Sequence, residues 1–163
     1  MARHLARAGL MLAAGVAGIA AAQTFPKEGN YDFSSCWSGV ANMVAFDKTN
    51  MAYSFEMMGT TQSVPPGGAF DKLTFRCVGL NYIYEGKPIT GNAVCESIDS
   101  QGDKSLAHFT NDGPKSTRTA ITGTGKYEGM VSSGTTAPVG VFPTIKPGTF
   151  QNCNRQTGTY KMK

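Results

Sequence analysis

Five charged side chains on the predicted strands of this sequence are its first candidates for chemistry. They are Glu56, Arg76, Glu96, Arg118 and Glu128. A carboxylate or guanidinium in an apolar interior is costly unless it is paired, so whichever of them proves internal becomes a candidate site. Glu56 and Arg76 are our first choices as catalytic residues, because both are embedded in dense apolar surroundings.

The familiar catalytic and cofactor motifs do not fit this sequence. His108 is the one histidine beyond the N-terminal segment, and no serine stands in a G-x-S-x-G elbow that would accompany a Ser-His-Asp triad. The glycine-rich stretch 122–129 lacks the spacing of a phosphate-binding loop and of a dinucleotide fingerprint. Residues 99–103 lack the alternating ligands of a calcium loop and predict a polar turn instead. We therefore expect no metal and no cofactor.

An adaptable apolar surface is the other candidate for function. Aromatic and methionine side chains of the predicted strands suit a hydrophobic pocket, and four of them are our ligand-binding candidates: Phe55, Met57, Phe75 and Tyr127. The same side chains would equally make an ordinary packed core, and of the two interpretations we favour the core.

The N-terminus has the pattern of a secretory signal peptide. Arg3 and Arg7 give residues 1–22 a basic start, and an apolar run that ends in three alanines predicts cleavage before Gln23. That run of about fifteen residues is short for a membrane span, which needs roughly 20, so we expect no stable span after cleavage. The mature chain, residues 23–163, then forms a single domain that is secreted or periplasmic.

Charge argues against nucleic acid as a partner. The sequence has 15 basic and 11 acidic residues, and loss of Arg3 and Arg7 with the signal peptide leaves 13 basic residues and a net charge of +2. This near-neutral balance, without a cluster of Lys or Arg, gives no support to a nucleic-acid or polybasic membrane function. Since 40% of the residues are hydrophobic, 20 are Gly and 8 are Pro, the composition favours a folded chain with many turns over long helices.

Four cysteines in an exported chain indicate two disulfides. Spacing alone allows any pairing of Cys36, Cys77, Cys95 and Cys153. A hairpin centred on Gly86 would place Cys77 directly opposite Cys95, within disulfide distance, so we predict that pair and leave Cys36 to Cys153. A zinc site of the same four thiolates is the alternative, but it lacks any C-x2-C pair, and export disfavours free thiolates.

Short strand-like runs alternate with turn signals along the rest of the chain, which is the all-β pattern. About eight strands with short connections predict an antiparallel closed β-barrel, because closure removes the sheet edges; a β-sandwich is the alternative. The predicted strands are 32–46, 51–61, 70–82, 89–98, 104–110, 116–122 and 126–132, with closing strands from 149–153 and 157–162. Alternation places Phe55 and Phe75 inside, and therefore Glu56 and Arg76 outside.

The stretch T-G-T-G-K-Y-E-G at residues 122–129 resembles the glycine-rich strand of the allene oxide cyclase and dirigent β-barrel families, and a looser likeness covers 99–134. The resemblance implies a bacterial-type exported member with a closed antiparallel barrel and a central apolar cavity. In those families the cavity guides the coupling of phenolic radicals or folds a reactive fatty-acid epoxide. The matched positions, three glycines and Tyr127, are backbone and packing features, so the fold carries over and the activity does not.

These observations predict an exported small barrel that binds a small apolar ligand or an extracellular partner protein without catalysis. The alternative is a cyclase- or isomerase-like enzyme that shapes a reactive apolar substrate in the barrel, a task that needs few chemical groups. Such an enzyme would have an internal charged residue, such as Glu56 or Arg76, that faces a cavity. A second alternative is a secreted inhibitor that acts through an exposed stretch such as 133–147.

Overall fold

The computed structural model describes residues 26–163, so the segment 1–22 and its cleavage site before Gln23 lie outside the described residues. The described chain consists of strands and one short 3-10 turn at Gly125–Tyr127. The strands are β1 (Glu28–Ala45), β2 (Met51–Ser63), β3 (Thr74–Tyr84), β4 (Lys87–Ile98), β5 (Lys104–Asp112), β6 (Lys115–Gly123), β7 (Met130–Val141) and β8 (Thr149–Met162).

The strands form one closed antiparallel barrel, which confirms the predicted fold. Each strand pairs with the next along the chain, and β8 returns to pair with β1. The strands are staggered around the ring. If the paired residues are followed from strand to strand, the path starts on β1 at Ala41 and comes back to β1 at Tyr31, ten residues earlier in the chain. A barrel of about eight strands has an interior just wide enough for side chains or one small ligand.

Alternation along each strand decides which side chains face the barrel axis. On β1 to β5 the inward residues have odd numbers, which places Phe75 inside and Arg76 outside, as predicted. A two-residue turn then pairs Asp112 of β5 with Lys115 of β6, an even residue with an odd one. On β6 up to Ala120, on β7 up to Pro138 and on β8 the inward residues therefore have even numbers, and Arg118 faces the interior.

The β3–β4 hairpin brings Cys77 and Cys95 together by two local features. Glu85 and Gly86 form a tight turn with φ of 50° and 73°, a backbone that matches the twist of paired strands. With this turn alone, Cys77 would lie opposite the residue before Cys95 in the paired strand. An irregularity at Ile89 shifts the register by one residue, so that the two cysteines lie directly opposite each other.

Both predicted disulfides are confirmed, and they lie on opposite faces of the barrel wall. Cys77–Cys95 joins β3 to β4 on the inner face and is buried. Cys36–Cys153 joins β1 to β8 on the outer face, where Cys36 is exposed. The second disulfide therefore crosses the pair of strands that closes the ring.

The prediction of a strand over 70–82 is wrong in its first part. Residues 64–73 form a connection, here called the plug, that inserts Phe70 into one end of the barrel. The Asp71 carboxylate accepts hydrogen bonds from the backbone N–H groups of Ser63 and Gly67, both at 2.8 Å. The Thr61 hydroxyl donates to the carbonyl of Phe70 at 2.5 Å. These side-chain bonds compete with ladder bonds and hold the chain in a turn.

The last third of the chain also differs from the prediction. The predicted strand over 126–132 begins in the 3-10 turn, and β7 continues through Pro138, where the register shifts and the missing N–H is tolerated. Most of the stretch 133–147 therefore belongs to the barrel wall, and only residues 142–148 are a connection. The two predicted closing strands are one continuous strand, β8.

The two ends of the barrel are built differently. The plug and the 3-10 turn Gly125–Tyr127 cover one end, the closed end. The opposite end, the open end, carries the turns that join β1 to β2, β3 to β4 and β5 to β6, together with connection 142–148.

Candidate functional site

Two apolar clusters share the barrel interior. The plug cluster fills the closed end with buried side chains: Tyr31, Phe33, Ala69, Phe70, Leu73, Tyr127, Met130 and Tyr160. The disulfide cluster consists of buried Phe75, Cys77 and Cys95, against which half-buried Trp37, Met57 and Phe109 pack. The plug cluster is thus sealed from water, whereas the rim of the disulfide cluster is not.

The mouth of the open end joins aromatic rings to a short chain of amides. Its residues are Tyr53, Phe55, Asn81, Asn111 and Phe150, all half-buried. Asn81 Nδ2 donates to the Tyr53 hydroxyl at 3.0 Å, and Asn111 Nδ2 donates to Asn81 Oδ1 at 3.3 Å. The Phe55 and Phe150 rings meet edge to face with centroids 6.1 Å apart.

Glycines on the inner wall explain why the mouth stays accessible. A Cβ at Gly79 would clash with the Phe55 ring, and one at Gly39 would lie 2.7 Å from the Phe150 ring. The tip of each ring therefore lies over a glycine of the neighbouring strand. A larger residue at either glycine would displace its ring into the mouth.

The four ligand-binding candidates all lie on the inner side of the fold but not in one place. Phe55 lies at the mouth, and Met57 and Phe75 belong to the disulfide cluster. Tyr127 lies apart in the plug cluster, where its hydroxyl donates to the carbonyl of Ala69 at 3.2 Å. The structure therefore brings three of the four to the part of the interior that water reaches.

Arg118 is the one of the five charged candidates that lies inside the barrel. It pairs with Phe109 of β5 and Gly134 of β7, and it is 4% exposed. Its Nη1 donates to Ser132 Oγ at 2.6 Å, and its guanidinium carbon lies 4.4 Å from the centre of the Phe70 ring. Among the described residues no carboxylate forms an ion pair with it.

Two buried polar atoms on neighbouring strands make no hydrogen bond of good geometry within residues 26–163: the Tyr31 hydroxyl and Gln156 Oε1. The Tyr31 hydroxyl nevertheless lies close enough to the Arg118 guanidinium to act as an acceptor for it, and the Tyr31 ring centre is 5.5 Å from the guanidinium carbon. Burial raises the pKa of Tyr31, and the opposing effect of Arg118 is smaller, so the phenol stays protonated at neutral pH. Burial lowers the pKa of Arg118, but a guanidinium keeps its charge in proteins.

The first-choice catalytic candidates, Glu56 and Arg76, lie together on the outer wall. Arg76 Nε and Glu56 Oε1 are 2.7 Å apart, and this hydrogen bond lowers the pKa of Glu56. Glu96 likewise pairs with Lys104 at 2.6 Å on the outer wall. Glu128 is exposed. None of these carboxylates reaches the interior beside Arg118.

The outer wall carries two adjoining clefts under connection 142–148. Their volumes are about 480 and 380 Å³, and their walls come from β1, β2 and β8. Gln151 Nε2 donates to the carbonyl of Pro143 at 2.5 Å, which holds the connection against the wall. Glu56 lines one cleft, whereas Ile145, at the edge of the same cleft, is 89% exposed.

Two residues of this site, Arg118 and Phe70, were missed as inner residues by sequence reasoning. The segment Ser116-Thr117-Arg118-Thr119 has no apolar residue to mark its inner face. The sequence feature that could have placed Arg118 inside is the two-residue turn at Gly113-Pro114. Its length decides whether the odd-numbered or the even-numbered residues at the start of β6 face inward.

Within the described chain, no helix is long and apolar enough to cross a membrane. Residues 26–163 also contain no group of three or more His, Cys, Asp or Glu side chains arranged to hold a metal ion. Comparison of the chain with protein families, with curated proteins and with solved structures found no match.

Proposed function

We propose that this protein binds a small apolar ligand in the open half of its barrel, between the mouth and the disulfide cluster. The observation that carries this proposal is the half-burial of side chains that face the axis. Trp37, Met57 and Phe109 point inward yet keep part of their surface accessible, as does Phe55 at the mouth. Apolar surface of this kind, held on rigid strands, favours a ligand that completes its burial.

The amides at the mouth would orient a bound ligand. Asn81 and Asn111 have donor and acceptor capacity beyond the bonds they make with each other and with Tyr53. A ligand with an apolar body and one polar end would place its body against Phe55 and Met57 and its polar end on these amides. Binding of this type needs no catalytic group.

Export is part of the proposal. The two disulfides are consistent with an oxidising compartment, and the signal-peptide pattern of residues 1–22 supports secretion or delivery to the periplasm. The ligand or partner would then be met outside the cytoplasm.

Membership of the allene oxide cyclase and dirigent-like barrels is proposed as well. It is supported by the T-G-T-G-K-Y-E-G stretch and by the closed antiparallel barrel that the resemblance implies. Gly125 and Gly129 have φ of 54° and 70°, which fits their interpretation as backbone positions. A shared fold supports no shared activity.

A fluorescence titration tests the ligand site directly. Trp37 is the only tryptophan of the chain and lies beside the proposed site, so energy transfer from Trp37 to the uncharged probe N-phenyl-1-naphthylamine reports binding there. Phe55→Ala should weaken binding about tenfold, because a buried ring contributes roughly 1.5–3 kcal/mol. Tyr82→Ala, on the outer wall of β3, is the matched control and should leave binding unchanged.

Native mass spectrometry of the exported protein complements the titration. A reproducible extra mass of a few hundred daltons, on the order of one drug-sized ligand, would support an occupied barrel.

In the fluorescence titration, equal loss of probe binding in Phe55→Ala and Tyr82→Ala would refute the interior site.

An enzyme of the cyclase or isomerase type is the second candidate, and Arg118 is the observation that favours it. Arg118 is an internal charged residue, whereas Glu56 and Arg76 point away from the interior. In such an enzyme Arg118 would stabilise negative charge that develops on a substrate in the barrel. Arg118→Gln would then abolish turnover while probe binding at Phe55 persists.

Recognition of a partner protein, including inhibition, would use the outer clefts and connection 142–148. Exposed Phe142 and Ile145 give that connection an apolar surface. Ile145→Asp would abolish partner capture and leave binding of the apolar probe intact, which separates this function from the interior site.

A further inference from the structure

The buried charge of Arg118 is not neutralised by the part of the chain that the structure describes. A charge in a low-dielectric interior requires an opposite charge or a full set of hydrogen bonds. The described residues give the Arg118 guanidinium one well-formed hydrogen bond, to Ser132, a weaker polar contact with the Tyr31 hydroxyl, and the ring faces of Tyr31 and Phe70. A guanidinium has five N–H donors, so most of its donor capacity is unused.

Neighbouring groups increase the excess of donors. The oxygen of the Tyr31 hydroxyl faces the Arg118 guanidinium, and its own proton meets no acceptor, so the protonated phenol adds one further donor. Tyr31 packs over Gly134 and Gly158, so its hydroxyl lies beside the strand that pairs with β6 at Arg118. An unpartnered acceptor on β8, the strand next to β1, is Gln156 Oε1, a neutral amide oxygen. Donors and positive charge therefore exceed acceptors and negative charge at this point of the interior.

A ligand that satisfies this part of the interior must supply both hydrogen-bond acceptors and negative charge. Water would satisfy hydrogen bonds but carries no opposing charge. Tyr31 cannot supply that charge, since the phenol stays protonated at neutral pH. An acceptor with negative charge meets both needs, and a guanidinium binds a planar carboxylate through two parallel hydrogen bonds.

We propose that the barrel interior binds a small anion, either an inorganic ion such as chloride or the carboxylate of an organic acid, on the free donors of the Arg118 guanidinium and within reach of the Tyr31 hydroxyl. The anion accepts hydrogen bonds from the guanidinium and from the phenol, and Ser132 fixes the guanidinium from the other side. This site is distinct from the apolar surface at the mouth. It lies at the boundary of the two clusters, because Arg118 pairs with Phe109 and stacks on Phe70.

Calorimetric titration of the disulfide-bonded protein in chloride-free buffer tests the proposal. The probes are cyclohexanecarboxylate, its uncharged amide, and sodium chloride. We expect the carboxylate to bind and the amide to bind at least about tenfold more weakly, the difference typical of a hydrogen-bonded charge. Chloride should compete with the carboxylate if both occupy the guanidinium.

Substitutions locate the anion. Arg118→Gln should weaken carboxylate binding by about tenfold or more, while Arg76→Gln, the same change on the outer wall, should leave it unaltered. Should Arg118→Gln fail to fold, Tyr31→Phe serves as the second variant. It removes only a hydroxyl that makes no hydrogen bond of good geometry, and it should weaken binding about fivefold with little loss of stability.

Each outcome decides the matter. Tighter binding of the carboxylate than of chloride identifies an organic acid, and tighter binding of chloride identifies an inorganic ion; both support the site. Equal affinity for carboxylate and amide, or equal weakening by Arg76→Gln and Arg118→Gln, overturns it. Neither result affects the apolar site, because N-phenyl-1-naphthylamine is uncharged and reports on Phe55.

Discussion

The plug cluster and the mouth are made from the same kinds of side chain but differ in their access to water. At the closed end, Phe70 enters from a connection and stacks on Tyr127, with ring centroids 6.1 Å apart and planes at 5°. At the open end, Phe55 and Phe150 meet edge to face and remain half-buried. The plug supplies side chains along the axis at one end only. The difference assigns stability to the closed end and access to the open end.

Arg118 lies where the plug cluster meets the disulfide cluster. Arg118 pairs with Phe109, a member of the disulfide cluster, while its guanidinium reaches Phe70 of the plug cluster. Any group bound at Arg118 therefore contacts the sealed region, whereas a ligand at the mouth does not. Mutations on the plug side of this boundary should mainly lower stability, whereas mutations at the mouth should mainly weaken ligand binding.

The largest effect is expected for Phe70→Ala in the plug. Phe70 is 1% exposed and contacts the rings of Tyr31, Phe33 and Tyr127. Loss of the ring leaves a cavity in a region that the barrel wall holds rigid, so the free energy of unfolding should fall by about 4 kcal/mol. Urea denaturation measures this change. A loss below about 1 kcal/mol would show that the plug is dispensable.

The second effect concerns the inner disulfide of the open half. Replacement of both Cys77 and Cys95 by Ala opens a loop with a sequence separation of 18, and the free energy of unfolding should fall by about 3 kcal/mol in the chain-entropy model. Addition of a reductant to the wild-type protein is not a suitable substitute, because it also opens Cys36–Cys153. Retention of full stability in the double variant would mean that the hairpin alone fixes this part of the wall.

Phe55→Ala at the mouth should cost less stability than Phe70→Ala. Because Phe55 is half-buried, its removal should lower the free energy of unfolding by about 2 kcal/mol while it weakens probe binding about tenfold. The same urea experiment compares the two variants. If the loss equals that of Phe70→Ala, the assignment of stability to one end and access to the other is wrong.

The smallest effect is expected at the turn of the closed end, where Asp99 pairs with Lys126 at 2.5 Å. Burial alone would raise the pKa of Asp99, but hydrogen bonds from Lys126 and from the N–H groups of Gln101 and Asp103 outweigh it and lower the pKa. Asp99 therefore stabilises the fold fully above its unfolded pKa of about 4, and this contribution is lost as pH falls through the lowered folded value.

Asp99→Asn should lower the free energy of unfolding by about 1 kcal/mol at pH 7. The difference between wild type and variant should begin to shrink below about pH 4 and vanish below the lowered folded pKa of Asp99, because protonation then removes the charge of Asp99 from the wild type as well. Urea denaturation at pH 7 and at decreasing acid pH values checks this. A difference that persists unchanged at low pH would assign the effect to packing.

The wall of the barrel could be predicted from the sequence because local chemistry decides it. Tyr53 and Phe55 alternate with polar residues, and turns with Gly or Asn separate the strands. The pairing of Cys77 with Cys95 was predicted from a symmetric turn at Gly86. In the structure the turn is centred half a residue earlier, and the irregularity at Ile89 compensates for it.

The candidate site was less predictable, because it depends on contacts between distant segments. Phe70 was expected in a strand, but Asp71 binds the N–H groups of Ser63 and Gly67 and turns the chain under the barrel. Arg118 stands between two threonines, and neither neighbour marks the inner face. The interior position of a charge could not be inferred from a segment that is polar on both faces.

The sequential order of the strands has a consequence for how the chain folds. Every pair of neighbouring strands but one is consecutive, so most pairing closes short loops, and the β1–β8 pair alone brings distant segments together. Cys77 and Cys95 can oxidise within a single hairpin, whereas Cys36 and Cys153, 117 residues apart, meet when the ring closes. The outer disulfide therefore forms across two strands that have already met, so an oxidised Cys36–Cys153 bond reports that the ring has closed.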